Sequence, residues 1–387
     1  MRGSRSRGGR CLAIKVLYLH HVDRLSGAEN SLRLLLRHLD RGRVSPFFGG
    51  PTTGPFPRAL ARDGVPVLPL DFGPLRDLRR LALAVLRVRA LIRRLRVDLV
   101  HANGPQTNVC AGFAGRLAGV PVIWHARNLI YGGMRDVDRA LAWLPTRIIC
   151  NAGAIRQRFH GSRGWAKSVT ILNAVDTREF SPAVPREPFR REMELTPDVP
   201  AVGIVGRIGL GKGHETFVEA AIGLVHAGAP GQFLVVGDPL FAEDGWRADA
   251  LRRRVKDARV EHRIRFLGFR EDIPQIMRGL DVLVLASDAE PCGRVLFEAM
   301  ASGTAVVATG TGGTPEIVRD GLEGLLVPPR DAAALAGAIR RLVDDPPLRR
   351  RLGQAGVARV QAEFTIERHV ARTLEVYEDV LGSPGVR

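Results

Sequence analysis

Residues 282–303 read VLVLASDAEPCGRVLFEAMASG, and how they fold decides the rest. VLVLAS is a short apolar run of the kind that fills a strand covered on both faces. GRVLFEAMASG repeats apolar residues at helical spacing and stops at Gly303. The stretch therefore predicts a strand, a loop carrying Glu290-Pro291, and a helix. Glu290 falls at the strand's carboxyl end, and Glu298 about a turn and a half inside the helix. On one continuous helix the eight-residue spacing would turn about 800°, so the two carboxylates would not share a face. They can meet one ligand only because the first lies on the loop. Such a pair could serve as acid and base, ligate a metal, or hold a ligand without proton chemistry. Backbone N–H groups around Gly293 to Val295 would suit a diphosphate. The hydrolase reading is the weaker one, because the carboxylates flank a helix start rather than facing across a cleft.

The same alternation runs through the chain. AIKVLYLH (13–20), VDLVH (97–101), PVIWH (121–125) and RIIC (147–150) read as strands, with GAENSLRLLLRHL (27–39) as a helix. After them come AVGIVG (201–206), FLVVG (233–237), IRFLG (264–268), AVVAT (305–309) and GLLVP (324–328). Strands alternating with helices give parallel sheets with ligands at the strands' carboxyl ends. His20, His101 and His125 all fall at such ends. Residues 176–200 carry Pro182, Pro185, Pro188, Pro197 and Pro200 and read as a linker. Residues 364–381 form a strong amphipathic helix pattern. Two α/β domains of similar size are expected, with the site in the cleft between them.

Two further stretches offer phosphate chemistry. VGRIGLGKGHETFVEA (205–220) runs from a strand through a turn with Gly206, Arg207 and Lys212 into a helix. Glycines let backbone approach a ligand, and the two cations would complete a phosphate clamp. Neither the P-loop spacing nor GxGxxG is present. ATGTGGTPEIVRDGLEGLLVPP (308–329) again offers amides where a helix starts near Pro315.

Taken in order, these motifs resemble the GT4 family of retaining, two-domain GT-B glycosyltransferases over most of the chain. The E-x7-E pair is Glu290 and Glu298, and the GR-x4-K phosphate motif is Gly206-Arg207 and Lys212. NAVD (173–176) stands for the interdomain N-G-V-D with Ala174 for Gly, and GGTPE (312–316) for GGxPE. SGAE (26–29), with Gly27, Ala28 and Glu29, resembles the acceptor-side glycine loop, and HARN (125–128) stands where the family keeps a His near the donor sugar. The resemblance implies two Rossmann-like domains, at 1–180 on the acceptor side and 181–362 for the nucleotide sugar, with a helix at 363–387 returning to the first. It implies transfer from a UDP- or GDP-sugar to a hydroxyl of a carbohydrate or lipid-linked acceptor, with retention, in cell-envelope polysaccharide or glycolipid synthesis. Arg207 and Lys212 would bind the diphosphate, Glu290 the sugar hydroxyls and Glu298 the ribose. Gly293, Arg294, Val295 and Leu296 would complete the phosphate site, and His125 would contact the sugar. The base would rest near Phe269 and Arg270, and His101 would lie on the acceptor side. A nucleotide-sugar epimerase of similar architecture, or a non-catalytic nucleotide-sugar or polyanion-binding protein, are the alternatives. Cys292 replaces a frequent Phe, and HARN departs from the commonest sequence after the His.

Composition sets the remaining bounds. The chain has 387 residues, 45% of them hydrophobic, too many for one ordinary core and right for two. No apolar stretch nears the roughly 20 residues of a spanning helix, and no leader is expected after the basic residues 1–10. Cys11, Cys110, Cys150 and Cys292 are scattered without CxxC, which fits a reducing cytoplasm. No metal cofactor is expected, and Asp136-Val137-Asp138 reads as a solvated helix start. The net charge of +17 is uneven: residues 1–175 hold 29 basic and 9 acidic side chains, leaving 28 and 31 for the remainder. Residues 75–96 alone carry eight arginines, with Leu78, Leu81, Val85, Val88, Ile92 and Leu95 at helical spacing. That face suits an anionic membrane surface, peripheral on the inner leaflet. Nucleic acid is not expected, because aromatics are only 6% and do not interleave with the basic residues.

Overall fold

The computed structural model describes residues 13–130, 135–240 and 244–382. Cys11 and the basic segment 1–10 lie outside them. The chain divides into two compact units. The first comprises residues 1–150, 156–171 and 370–387, and the second residues 151–155 and 172–369.

The first unit is built on a seven-stranded sheet. Its strands are β1 (Ile14–Leu19), β2 (Val44–Gly50), β3 (Val67–Pro69), β4 (Leu99–Asn103), β5 (Val122–Ala126), β6 (Arg147–Cys150) and β7 (Ser168–Thr170). All are parallel, in the order β3-β2-β1-β4-β5-β6-β7. Every residue of β4 and β5 is buried, as parallel strands covered on both faces must be. The second unit repeats the plan with β8 (Ala201–Val205), β9 (Gln232–Val236), β10 (Ile264–Gly268), β11 (Val282–Leu285), β12 (Ala305–Thr309) and β13 (Gly324–Val327). Their order is β10-β9-β8-β11-β12-β13, again all parallel. Val202, Ile204, Val282, Val284, Phe217 and Phe233 lie at its core.

In each sheet the winding reverses beside one strand, between β1 and β4 and between β8 and β11. A crevice opens at the carboxyl ends of the strands flanking such a reversal, because the connecting helices leave to opposite faces there. Both candidate clusters lie at these two points.

Three expectations need correction. Residues 176–200 are not a loose linker. They contain a helix, Glu187–Glu192, whose Phe189 and Arg190 are buried. Arg190 donates to Asp281 Oδ2 at 3.0 Å and to the carbonyls of Thr196 and Val199, and the Phe189 ring packs where a side chain at Gly279 would stand. The arginine-rich helix, Leu78–Leu95, buries Ala84, Val85, Val88 and Ile92, whereas Leu78, Leu83 and Leu86 are exposed. The core face is therefore rotated toward the small residue. Finally, Asp138 is not solvated. It is buried, accepts from Asn108 Nδ2 at 3.1 Å and faces Arg158, and burial pushes its pKa up. Asp136 caps the short helix through the Arg139 N–H and pairs with Arg158.

Candidate active site

In the second unit, the loop after β8 carries Gly206, Arg207 and Lys212, and the loop after β11 carries Ser287 and Glu290. Lys212 Nζ donates to Glu290 Oε2 at 3.0 Å, and Ser287 Oγ donates to the same oxygen at 3.1 Å. Glu290 is buried while Lys212 is about one-third exposed. Arg207 Nη1 donates to Asp244 Oδ2 at 3.2 Å. The close fit of the two loops depends on Gly213. Its φ is +74°, and a Cβ there would stand 1.8 Å from the Ala286 carbonyl oxygen. His214 follows, buried at the start of the helix His214–His226. Burial and the nearby Lys212 lower its pKa to about 4, so it is neutral at physiological pH.

The helix Arg294–Ala301 begins just after, with Gly293 as its N-cap. The amides of Arg294 and Val295 precede the helix's own acceptors. The Leu296 amide donates to the Gly293 carbonyl at 3.1 Å. Glu298 is buried and accepts through Oε1 from the guanidinium of Arg294. Phe269, after β10, is exposed, and its amide donates to Asp238 Oδ2 at 2.7 Å. Arg270 is locked into a bidentate pair with Glu192 and a second with Asp272. Its guanidinium braces this loop.

The GGTPE loop does something other than offer amides. Gly312, at φ +56°, passes so close to Glu290 that a Cβ would lie 2.1 Å from that residue's carbonyl oxygen. The Gly313 amide donates to this same oxygen, and the amides of Thr314 and Glu316 go to Thr311 and Gly313. The Glu316 carboxylate takes the N–H groups of Gly153 and Ala154 at 2.7 and 3.1 Å. The loop's glycines therefore let it pack directly against the Glu290 backbone. Asn173 of NAVD reaches the same region, donating to the Cys292 carbonyl at 3.4 Å. The Cys292 side chain is buried among these residues.

In the first unit, three neighbouring strands end in the pattern Tyr18-x-His20, His101-x-Asn103 and His125-x-Arg127. Residues two apart on a strand face the same side. Register pairs Tyr18 with His101 and Asn103 with His125, so the six side chains form one buried polar layer. His20 Nδ1 lies 2.6 Å from the Asn103 carbonyl oxygen, and its Nε2 lies 2.5 Å from Glu29 Oε1. Asn103 Nδ2 also lies 3.4 Å from His20 Nδ1, and the buried Glu29 carboxylate is the ring's charged partner. Burial raises the pKa of Glu29, but His20 and Ser26 outweigh it and bring it to about 2. Arg127 Nε donates to Asn103 Oδ1 at 2.6 Å. His101 Nδ1 lies 2.6 Å from Tyr377 Oη of the helix Ile366–Gly382. Of the acceptor-side candidates, Gly27 and Ala28 open the helix Gly27–His38, and Glu29 closes its first turn by accepting the Ser26 amide. Sequence reasoning named the three histidines but missed Tyr18, Asn103, Arg127 and Tyr377, together with Asp244 and Ser287 in the second unit. The repeated two-residue spacing at strand ends is the signal that could have found Asn103 and Arg127.

Residues 25–179 match the family described as Glycosyltransferase Family 4, and residues 185–359 match Glycosyl transferases group 1. The chain is 34% identical over 328 residues to 2-deoxystreptamine glucosyltransferase of Streptomyces kanamyceticus, covering 78% of this chain and 82% of that protein. The chain belongs to the GT4-type glycosyltransferases. Another relative of this glycosyltransferase is the lipopolysaccharide core biosynthesis glycosyltransferase LpsE of Rhizobium meliloti. It is 33% identical over 247 residues, covering 61% of this chain and 68% of the relative. Among solved structures, HepE of Anabaena in complex with UDP superposes with a TM-score of 0.84 at 26% identity, over 95% of this chain and 100% of that one. The fold is therefore GT-B. Among the described residues, no cluster of His, Cys, Asp and Glu is placed to hold a metal ion. Among the same residues, no helix is long and apolar enough to cross a membrane.

Proposed function

We propose that this glycosyltransferase moves a hexosyl unit from a UDP-sugar to a hydroxyl acceptor with retention of configuration, in building a cell-envelope glycan or glycolipid. The observation that carries it is the arrangement at the β8/β11 reversal. Two partly exposed cations, Arg207 and Lys212, stand on the loop facing the one that leads into the helix Arg294–Ala301, with Lys212 paired to the buried Glu290 carboxylate. Breaking a sugar–phosphate bond puts charge on the departing diphosphate. Cations already held in place, with the Arg294 and Val295 amides, stabilise that charge without reorganisation. Glu290 holds the sugar hydroxyls, Glu298 the ribose, and His125 contacts the sugar. The base rests against Phe269, on a loop braced by Arg270. With no protein nucleophile assigned, the leaving phosphate itself accepts the acceptor's proton on the same face. The choice of UDP is supported by HepE, which was crystallised with UDP and with UDP-glucose.

A thermal-shift panel of UDP-, GDP- and ADP-sugars tests the donor. A ligand at about 100 times its Kd should stabilise by about 2.7 kcal/mol. Stabilisation by none of the panel would overturn the donor assignment. The anomeric coupling constant of the product, read by proton NMR, tests retention. Sugar isomerised in the absence of any acceptor would favour an epimerase instead.

The acceptor is proposed to be lipid-linked, because the outer face of the helix Leu78–Leu95 displays Leu83 and Leu86 between Arg79, Arg87, Arg93 and Arg94, with no acidic side chain in the helix. Each basic residue near an anionic leaflet contributes about 1 kcal/mol. Salt-sensitive co-sedimentation with anionic but not neutral liposomes is expected, and its absence in wild-type protein rejects the membrane role.

A further inference from the structure

We infer that Arg127 from one side and Tyr377, acting through His101, from the other hold His125 Nδ1 as an acceptor, so that His125 presents Nε2–H as a hydrogen-bond donor. The inference rests on the reading above that His125 meets the sugar. Its starting point is Arg127. A guanidinium can only donate, and Arg127 Nη2 lies 3.2 Å from His125 Nδ1. That nitrogen is therefore an acceptor, and the proton of His125 is on Nε2. His101 Nε2 lies 3.2 Å from the same Nδ1, and two facing lone pairs would repel, so it shares that acceptor with Arg127 as a second donor, which puts the proton of His101 on Nε2. His101 Nδ1 is then an acceptor, and Tyr377 Oη, 2.6 Å away, donates to it. Tyr18 Oη, 3.0 Å from Tyr377 Oη, donates in turn. Each assignment forces the next, and every step uses groups that are buried.

Two observations support the direction of the chain. Both tyrosines are completely buried, and burial pushes both phenols well above their ordinary pKa. Their hydroxyls keep the protons the chain requires. The rings are also tightly placed: His101 stacks on His125 with centroids 5.3 Å apart, and Tyr377 meets His101 edge-on at 5.8 Å. Neither imidazole can turn over to exchange its nitrogens without breaking these contacts. Tyr377 is thus a positioning residue. It acts on an imidazole two links away, across 252 residues of sequence from His125. A donor at Nε2 suits a sugar hydroxyl or ring oxygen, and it excludes His125 as a general base through that atom.

The test is a long-range proton–nitrogen correlation spectrum of histidine-labelled full-length protein, in which the two neutral tautomers are distinguished directly. Wild type should show His101 and His125 as Nε2–H tautomers. A proton on Nδ1 of His125 would overturn the inference without any variant being made. Tyr377→Phe should shift His101 clearly toward mixed tautomers, and His125 by less because Arg127 still faces its Nδ1, and lower kcat about tenfold, on the scale of groups that fix a functional imidazole, with donor KM little changed. Tyr18→Phe deletes a hydroxyl at an equally buried site but leaves the donor to His101, so its spectrum should keep the wild-type tautomers. Equal spectra in the two variants would reduce Tyr377 to packing and overturn the inference. Tautomers that shift in Tyr377→Phe while kcat holds would confirm the relay and remove His125 from the sugar.

Discussion

The two sheets carry polar clusters at corresponding places, yet they are held in opposite ways. In the first unit, His20, His101, His125, Asn103 and Arg127 are buried, and hydrogen bonds join them into one chain. In the second, Arg207 and Lys212 keep about a third of their side-chain surface in water, each with a carboxylate partner. The difference is physical. A buried chain cannot rearrange cheaply, because an unmade hydrogen bond there costs about 1–3 kcal/mol. It therefore suits a group whose orientation must not change. A half-exposed ion pair can exchange its carboxylate for a phosphate at little desolvation cost. It suits a charge that arrives with the substrate and grows during the reaction.

The largest expected effect is on the exchangeable side. Lys212→Ala should lower kcat by about 10²–10³, the scale seen when one preorganised donor to a developing oxyanion is removed. Stopped turnover assays, paired with a melting curve to show the fold intact, measure it. A loss of less than about threefold would mean that the cation is only a partner for Glu290, and the contrast between the clusters would fail.

On the buried side the expected loss is in stability. Glu29 sits at about 2 in the folded protein against an ordinary 4.5. Its contribution is complete above pH 4.5 and disappears as pH falls through about 2. From that shift it amounts to about 3 kcal/mol. Glu29→Gln should remove most of this at pH 7 and flatten the acid limb of the stability curve between pH 4.5 and 2. Denaturant melts across that window decide the matter: an unchanged slope would show that the His20–Glu29 pair is not the acid-sensitive element.

Glu298 tests the middle ground, because it is buried but paired with Arg294 at the rim of the second cluster. If it holds the ribose, Glu298→Ala should weaken UDP about 10-fold or more, as for a hydrogen bond to a charged group. The same variant should lose any preference for UDP over its 2′,3′-dideoxy counterpart, measured by calorimetry. Retained discrimination would sink the ribose role.

Much of this was legible in the sequence, for definite reasons. Parallel strands buried on both faces announce themselves as apolar runs, and residues just past their ends are where ligands meet α/β sheets. That is why Arg207, Lys212, Glu290 and the three histidines stand out in the sequence. Tyr377 could not. Its helix reads only as amphipathic, and its link to His101 spans 276 positions. Asp244 was hidden for the same reason, lying 37 residues from Arg207. The helix Leu78–Leu95 misled because leucines occupy nearly every face, so periodicity could not say that Ala84 points inward and Leu86 outward. The GGTPE stretch misled differently. Glycines before a helix have the same signature whether backbone approaches a phosphate or another backbone.

That ambiguity gives the smallest and most discriminating expectation. If the loop serves phosphate, Glu316 should matter for donor affinity. If it shapes the protein, Glu316 should matter only for stability. The geometry favours the second, since both carboxylate oxygens already accept amides, from Gly153 at 2.7 Å and Ala154 at 3.1 Å. Glu316→Gln keeps one acceptor but turns an NH₂ group toward the other amide. The loss of one charge-assisted bond should cost about 1–2 kcal/mol in unfolding free energy. The Kd for UDP should stay within about twofold, because no part of this contact reaches Arg207 or Lys212. A tenfold loss of UDP affinity with unchanged stability would reverse the assignment, returning the loop to the phosphate and leaving Gly312 and Gly313 with a second role beside Glu290.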